Sequence, residues 1–402
     1  MTLLPVADAR RRVLDGASRL GVETVSLADA HGRVLAQDLA ARRSQPPFPA
    51  SAMDGYAVRA SDAATEGATL RLVGTAAAGH RYEGALGPGE TVRIFTGAPV
   101  PDQADTILIQ ENATARDDGT IRVDTPVEPG RHVRRAGLDF EADEVLLSAG
   151  TRIAARHIAL AAAMNHAEIA VARRPRIGLI ATGDELVPPG TEPGPDQIVA
   201  SNTPALTALI AAAGGEALDL GIVRDDATAT AAALAEGRAR GADVLVTLGG
   251  ASVGDHDLVK QAFGDAGMEL GFWKIAMRPG KPLIFGRLEA LRVLGLPGNP
   301  VSSLVCAIQF LVPLVRALQG DNDPGPHAEP AILAHAMGAN GDREDYVRAT
   351  LSHRDDALPL VDPFTLQDSS MLSTLAASGA LVIRPPHAPA ADAGSLCRII
   401  RL

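Results

Sequence analysis

Four short, almost wholly apolar runs alternate with helix-like segments in the second half of the chain, and this alternation restricts the fold more than any other feature. The apolar runs lie at 177–180, 218–223, 244–248 and 293–296, and the helical segments at about 203–213, 226–240 and 301–318. Strands that are buried on both faces and joined by helical crossovers form parallel sheets with helices on both sides. The sequence therefore predicts a doubly wound α/β domain at residues 173–322.

The regions before and after this domain have β patterns. Residues 46–139 show no long helix, only short apolar runs bounded by Gly, Pro or Asp, which is typical of a small β domain. Helical patterns at 3–20 and 153–165 lie on either side of it. A polar, proline-containing linker at about 320–329 precedes a tail of short strands, which predicts a small barrel or sandwich.

Composition excludes several classes of protein. The formal net charge of -11 opposes broad binding to nucleic acid or an anionic membrane, although it leaves room for a local basic pocket. Only Cys306 and Cys397 occur, without neighbours at ligand spacing, so neither a disulfide framework nor a cysteine zinc site is expected. The apolar stretch 301–315 includes serines, a glutamine and a proline, which favours a buried helix over a membrane span. We expect a cytoplasmic protein.

Acidic and glycine-rich loops follow the predicted parallel strands, where ligands collect in such folds. One loop carries Asp184 and Glu185 after Gly183, and another runs from Gly249 through Asp255 to Asp257. Carboxylates beside glycines suit Mg²⁺ held against a phosphate, because the metal prefers oxygen ligands and the exposed N–H groups attract anions. A solvated surface turn explains these residues equally well.

Two neighbouring features have simple structural interpretations. Asp225 and Asp226 precede a predicted helix, so one of them is expected to be its N-cap. Asn299 and Ser302 could be plain caps of the next helix in the same way. The pair Asp54 and Gly55 alone favours a hairpin turn.

A cationic turn follows the only tryptophan. Lys274 and Arg278 lie four residues apart, and Lys281 follows within a frame of prolines and a glycine. Such a cluster could bind an oxyanion, and a solvated basic turn is the alternative. The chain has no Walker-type loop and no Gly-x-Gly-x-x-Gly after a strand, which opposes common ATPases and dinucleotide dehydrogenases.

Several segments together resemble one family, the molybdopterin molybdenumtransferases (the MoeA family, related to the gephyrin E domain). The matching segments are 51–57, 93–101, 182–186, 249–255, 278–282 and 295–302. The resemblance implies an elongated segment made of 1–45 and 140–172, an inserted β domain at 46–139, a MogA/MoaB-like α/β domain at 173–322 and a C-terminal β-barrel at 323–402. It also implies a homodimer whose active site lies between the α/β domain of one subunit and the inserted domain of the other.

The resemblance assigns roles to individual residues by motif. It implies catalytic roles for Asp54, Thr96, Asp139, Glu185, Asp225 and Asp257, with Mg²⁺ held by Glu185, Asp225 and Asp257. It implies substrate contacts, including molybdate or the pterin phosphate, for Lys274, Arg278, Lys281, Arg348, Ser369, Gly249, Gly250, Ser252, Pro297, Gly298 and Asn299. The sequence departs from the family pattern at Gln103 and Asp368, where glycine is common, and at Arg278, where some relatives have lysine.

The implied reaction inserts molybdate into adenylylated molybdopterin and releases AMP. Two alternatives remain at this point: a MogA-type adenylyltransferase, which shares the α/β domain, and a non-enzymatic scaffold of the gephyrin kind. A MogA-type adenylyltransferase and molybdoenzyme maturation proteins are the partners that the resemblance suggests.

Overall fold

The computed structural model describes residues 3–249, 263–355 and 357–402. The elongated segment, made of 1–45 and 140–172, contains helices α1 (Val6–Leu14) and α2 (Ala155–Ala163) and strands β1 (Val22–Ser26), β2 (Leu39–Ala40), β11 (Val145–Leu147) and β12 (Glu168–Ala172). Strands β1 and β12 pair antiparallel, as do β2 and β11. The chain leaves this segment and returns to it at one point, where Gln45 and Phe140 form a bridge.

Helix α1 packs on the α/β domain. Val6, Ala9 and Val13 recur at helical spacing and lie in the same buried cluster as Ile177 and Phe310. The first helix therefore packs against that domain, although it lies in the stretch 1–45 that the resemblance assigns to the elongated segment.

The inserted domain is all β, as predicted. Its six-stranded sheet has the order β7-β4-β6-β5-β9-β8, and strands β3 and β10 pair beside it. The strands are β3 (Ala50–Ser51), β4 (Gly55–Val58), β5 (Thr69–Ala76), β6 (Glu90–Ile94), β7 (Thr106–Ile109), β8 (Ala113–Ala115), β9 (Thr120–Val123) and β10 (Val133–Arg134). Short 3₁₀ turns lie at Ala60–Asp62 and Gln110–Asn112, and a third, Leu27–Asp29, lies in the elongated segment.

The α/β domain has the predicted parallel centre, with two antiparallel strands added at one edge. Its sheet order is β16-β13-β17-β21-β20-β18. The first four strands are parallel to one another, β20 is antiparallel to β21, and β18 is antiparallel to β20. The strands are β13 (Arg176–Thr182), β14 (Leu186–Val187), β15 (Ile198–Val199), β16 (Glu216–Val223), β17 (Val244–Leu248), β18 (Glu269–Lys274), β19 (Met277–Arg278), β20 (Pro282–Leu288) and β21 (Leu291–Leu296).

Helices cover both faces of this sheet. One face packs against α1, α3 (Asn202–Ala212) and α5 (Pro300–Ala317), and the other packs against α4 (Ala227–Ala239). Helix α5 is long and apolar enough to cross a membrane, but 67% of it is buried inside the fold. Cys306 lies within α5 with no exposed surface, and burial raises the pKa of its thiol, as expected of an unreactive core residue.

The C-terminal strands close into a five-stranded barrel, which settles the choice between barrel and sandwich. Strands β23, β24, β22, β26 and β25 follow one another, and β25 pairs back onto β23. Strand β19 of the α/β domain pairs with β23 and joins the two domains. The strands are β22 (Glu329–Leu333), β23 (Glu344–Ser352), β24 (Leu360–Pro363), β25 (Ala380–Arg384) and β26 (Leu396–Arg401), with helix α6 at Leu372–Ala376.

Candidate active site

A cavity of about 570 Å³ lies at the carboxyl ends of the parallel strands. The predicted residues that line it are Glu185, Asp225, Gly249, Pro297, Gly298 and Asn299. Its wall also includes Thr182, Asn202 and Ser370, to which the sequence analysis gave no role. The topology thus brings together loops that are more than a hundred residues apart in sequence.

The loop after β13 turns sharply at Gly183. Its N–H donates to the carbonyl of Val223 (3.2 Å), which ties this loop to the end of β16. The carboxylate of Glu185 folds back over Gly183, and a Cβ atom at position 183 would collide with it. Glycine is therefore required here for the acidic side chain to lie beside the backbone of its own loop.

The two aspartates after β16 have different tasks. Asp226 caps α4, because its Oδ1 accepts a hydrogen bond from the N–H of Thr228 (2.8 Å), as the N-cap interpretation expected of one of the pair. Asp225 is left to face the cavity. Burial raises the pKa of Asp225, and the negative charges of Glu185 and Asp184 raise it further. The loops thus concentrate negative charge that a bound cation would neutralise.

A second glycine allows two strand ends to approach each other. Gly249 has φ +102°, and a Cβ atom there would lie 2.7 Å from the carbonyl oxygen of Thr182. The Thr182 hydroxyl is buried and has no hydrogen-bond partner within the described ranges. It is a polar group in the cavity wall that a ligand could satisfy. The sequence signal for it was only its place at a strand end.

The loop before α5 contacts the barrel. Asn299 occupies the N-cap position, but its side chain forms no cap bond. Its amide instead donates to the hydroxyl of Ser369 (3.1 Å), and the N–H of Val301 donates to the carbonyl of Ser369 (3.1 Å). The plain-cap interpretation of Asn299 is therefore wrong, and Ser369 is fixed at the rim of the cavity by two contacts with the α/β domain.

Arg348 lies behind this rim and is 2% exposed. Its guanidinium donates to the carbonyls of Asp368 (2.8 Å) and Met371 (3.0 Å), and Gln367 accepts from its Nε (3.3 Å). These bonds use its donors to shape the loop that carries Ser369. These three bonds hold that loop in place, and the direct contact with substrate that the resemblance implied for Arg348 stays a prediction.

The unusual Asp368 is engaged locally. Its Oδ1 accepts from the hydroxyl (2.6 Å) and the N–H (2.8 Å) of Ser370, and these two bonds, in that order, lower the pKa of Asp368. The other departure, Gln103, accepts from the N–H of Leu86 (3.3 Å) within the inserted domain. Both side chains thus have contacts inside the fold.

The cationic turn lies between the active-site cavity and a second cavity on the barrel. The ammonium of Lys274 lies 4.2 Å from the ring centre of Trp273, which fits a cation–π contact. Arg278 forms an ion pair with Asp345 and lines a separate cavity of about 710 Å³ on the barrel. Lys281 is exposed, and its carbonyl accepts from the N–H of Ile275 (3.2 Å). An oxyanion at Arg278 would have to share that guanidinium with Asp345.

Asp54 and Thr96 meet in the inserted domain. One carboxylate oxygen of Asp54 accepts from both the N–H and the hydroxyl of Thr96, each at 2.8 Å. Asp54 joins β3 to β4, which belong to different sheets, so the hairpin-turn interpretation is wrong. Gly55 is required because a Cβ atom there would collide with the carbonyl of Leu108.

Asp139 is exposed where the inserted domain rejoins the elongated segment, and its N–H donates to the carbonyl of Gln45 (2.9 Å). Within the described ranges, no hydrogen bond or ion pair links 46–139 to 173–322. The two groups of candidate residues are therefore not joined by a hydrogen bond or ion pair in the described part of the chain.

Three residues from the glycine-rich loop, Gly250, Ser252 and Asp257, lie outside the described residues. In the ranges 3–249, 263–355 and 357–402, no group of three or more His, Cys, Asp or Glu side chains is arranged to hold a metal ion. Glu185 and Asp225 are the two predicted metal ligands in the described part of the chain.

Comparison with known proteins covers almost the whole chain. The profile of the MoeA N-terminal region (domain I and II) matches residues 4–165, that of a probable molybdopterin binding domain matches 178–317, and that of the MoeA C-terminal region (domain IV) matches 330–402. A molybdopterin molybdenumtransferase of Haemophilus influenzae is 34% identical over 90% of this chain and 89% of its own length.

A second relative and two solved structures agree with this result. The Bacillus subtilis molybdopterin molybdenumtransferase is 31% identical over 99% of this chain and 94% of its own length. A crystal structure of a molybdopterin biosynthesis MoeA protein from Pyrococcus horikosii shares 31% identity and covers 100% of this chain and 99% of its own, with a TM-score of 0.83. Another, from Pyrococcus horikoshii OT3, shares 25% identity and covers 100% of both chains, with a TM-score of 0.86.

Proposed function

Since the chain belongs to the MoeA family of molybdopterin molybdenumtransferases and acts in molybdenum cofactor biosynthesis, we propose that it inserts molybdate into adenylylated molybdopterin and releases AMP. The observation that carries this proposal is the cavity in which Glu185 and Asp225 face the glycine-containing loops at Gly249 and Gly298. Carboxylates and exposed backbone N–H groups together suit a phosphoanhydride with its counter-cation. Cleavage of that bond would separate AMP from the pterin phosphate.

Mg²⁺ is the cation that fits these donors best. Burial and two neighbouring carboxylates raise the pKa of Asp225, and a bound positive charge would counteract this effect. Glu185 and Asp225 would hold the ion, with Asp257 as the third ligand that the family motif implies. When bound, Mg²⁺ would offset the negative charge that develops on the anhydride. Glu185 would also orient the attacking water at the phosphorus.

The oxyanion would bind at the rim between the α/β domain and the barrel. In this proposal Lys274, Arg278 and Lys281 of the cationic turn would supply positive charge, and Ser369 would supply a hydroxyl that accepts a hydrogen bond from the amide of Asn299. Molybdate is a tetrahedral dianion and suits a group of cations with one hydroxyl donor. Arg348 would act indirectly, by holding the loop that presents Ser369.

A homodimer would complete the active site. Three large apolar side chains beside the inserted-domain half-site are exposed: Met53 by 40%, Phe95 by 39% and Leu138 by 51%. Each directly precedes a candidate catalytic residue, namely Asp54, Thr96 or Asp139. An apolar surface around functional polar residues is typical of an interface. We propose that it faces the cavity of a second subunit.

Subunit complementation tests this arrangement. Asp54→Asn and Glu185→Gln homodimers should each be almost inactive, because both changes remove the same composite site. Equal co-expression should give about half heterodimers with one intact site each, and so recover about a quarter of wild-type activity. No recovery in purified heterodimers would mean that both residues act within one subunit.

The reaction itself is tested with adenylylated molybdopterin, Mg²⁺ and molybdate, following AMP by chromatography. AMP release that depends on molybdate supports the proposal, and Glu185→Gln should lower kcat more than it lowers substrate affinity. Glu192→Gln, an exposed position seven residues away, is the control and should keep full activity. Formation of the adenylylated pterin from ATP would indicate an adenylyltransferase instead, and binding without turnover would indicate a scaffold. We place this activity in the cytoplasm, next to the adenylyltransferase and maturation proteins.

A further inference from the structure

A second charged cavity, of about 550 Å³, lies at the opposite end of the α/β sheet from the active site. It lies where the elongated segment meets the first residue of β13. The residues that line it are Glu23, Arg33, Arg173, Arg174, Arg176, Glu216 and Gly241. Four of the seven are arginines, in a chain with a formal net charge of -11. This is the local basic pocket that the overall charge left possible.

Arg33 is the buried base of this cavity and is only 4% exposed. Its Nη2 donates to the carbonyl of Ala172 (2.7 Å) and pairs with Glu23. Its Nε is buried and has no hydrogen-bond partner within the described ranges. A buried guanidinium N–H without an acceptor is unfavourable, so a ligand that accepts from it would be favoured.

The carboxylates nearby do not neutralise all the arginines. Asp243 accepts two hydrogen bonds from Arg173 (2.7 and 2.8 Å), and Glu216 accepts one from Arg176 (3.2 Å). Arg174 is exposed, and no acidic residue of the described ranges pairs with its guanidinium. Within the described ranges one arginine charge of the cavity is therefore unpaired, and the Nε–H of Arg33 has no acceptor.

We propose that this cavity binds a phosphate group, with Arg33, Arg174 and Arg176 as its donors. Guanidinium groups offer paired N–H donors that match a tetrahedral oxyanion, and a partly enclosed cavity strengthens such bonds relative to water. The volume admits either free phosphate or a small phosphate monoester. Arg33 comes from the elongated segment and the other two from the α/β domain, so the ligand would bridge the two parts of the chain.

The proposal is tested by calorimetric titration of the full chain with inorganic phosphate and, separately, with glycerol 3-phosphate at low ionic strength. We expect a site that weakens with added salt and is retained when the proposed oxyanion rim is altered, and the tighter of the two probes identifies free or esterified phosphate as the ligand. Arg174→Gln is the best variant, because this side chain forms no hydrogen bond or ion pair with the described part of the chain. The Kd of this variant for phosphate should be about fivefold to tenfold higher than that of the wild type.

Two control variants separate this site from other phosphate binding. Arg156→Gln changes an exposed arginine outside the cavity and should leave Kd unchanged. Lys274→Gln alters the proposed oxyanion rim and should also leave it unchanged. The proposal is overturned if neither probe binds, if Arg174→Gln binds as tightly as wild type, or if Lys274→Gln is the variant that loses binding. Thermal denaturation should independently show phosphate stabilising the wild type more than Arg174→Gln.

Discussion

One carboxylate oxygen of Asp54 accepts hydrogen bonds from both the backbone N–H and the hydroxyl of Thr96, each 2.8 Å long. These bonds, with the backbone one as the larger cause, lower the pKa of Asp54. The segments that carry these two residues are 42 positions apart, and strands β4 and β6 bring them together. The interaction keeps Asp54 ionised and fixes its direction at the surface that we assign to the subunit interface.

Replacement of Thr96 tests this relationship. Thr96→Val removes the hydroxyl donor and keeps the N–H donor, so the pKa of Asp54 should rise while staying below its ordinary value. Titration of the Asp54 carboxyl carbon by NMR measures the change, and molybdate-dependent AMP release should fall about tenfold. Thr69→Val, at an exposed strand position, is the control. An unchanged Asp54 titration in Thr96→Val would show that the hydroxyl contributes nothing.

Asp225 and Asp226 should respond oppositely to neutralisation. The raised pKa of Asp225 means that the folded state binds more protons than the unfolded state at mildly acidic pH, so its ionisation lowers stability as pH rises. Asp225→Asn should therefore raise Tm by about 1–2 °C at pH 7, with the gain vanishing below about pH 4, and should abolish activity.

The neighbouring substitution supplies the matched comparison. Asp226→Ala removes the N-cap acceptor for the N–H of Thr228 and should lower stability by about 1 kcal/mol. Calorimetric scans of both variants between pH 4 and pH 8 measure the two effects. If Asp225→Asn loses stability at neutral pH, the carboxylate is held by favourable contacts and the cation-site interpretation fails.

Arg348→Lys tests the positioning role of the buried guanidinium. The ammonium group of a lysine cannot reach the carbonyls of Asp368 and Met371 and the side chain of Gln367 at once. Some of these three acceptors therefore lose their hydrogen-bond donor, and the free energy of unfolding should fall by about 2–3 kcal/mol. The loop that carries Ser369 should become more sensitive to protease. Arg354→Lys, an exposed arginine near the end of β23, should change neither property. Normal loop protection with lost molybdate binding would instead support direct contact with substrate.

The parallel centre of the sheet could be predicted because its strands are continuous apolar runs, as at Val244–Leu248, where every residue is buried. The antiparallel strand Glu269–Lys274 could not, because it lies at the sheet edge and half of its residues are exposed. The grouping of Glu185 with Asp225 came from the family resemblance, because the residues alone favoured an N-cap for one of Asp225 and Asp226. The contact between Asn299 and Ser369 joins positions 70 residues apart in different domains, and no local pattern encodes it.

The ion pair between Arg278 and Asp345 gives the last prediction. The Asp345 side chain is 5% exposed and that of Arg278 is 60% exposed, so the carboxylate is fixed within the fold while the guanidinium faces the barrel cavity. A carboxylate at this position repels a dianion that approaches Arg278.

Asp345→Asn keeps the shape of the side chain and removes its charge, and it leaves no buried cation because Arg278 is largely hydrated. Molybdate binding, measured by calorimetry, should tighten at least about threefold. The control Asp342→Asn, whose side chain is 76% exposed, should leave the affinity unchanged. Weaker binding in Asp345→Asn, with the fold intact by circular dichroism, would show that Asp345 is needed to hold Arg278 in position for the oxyanion.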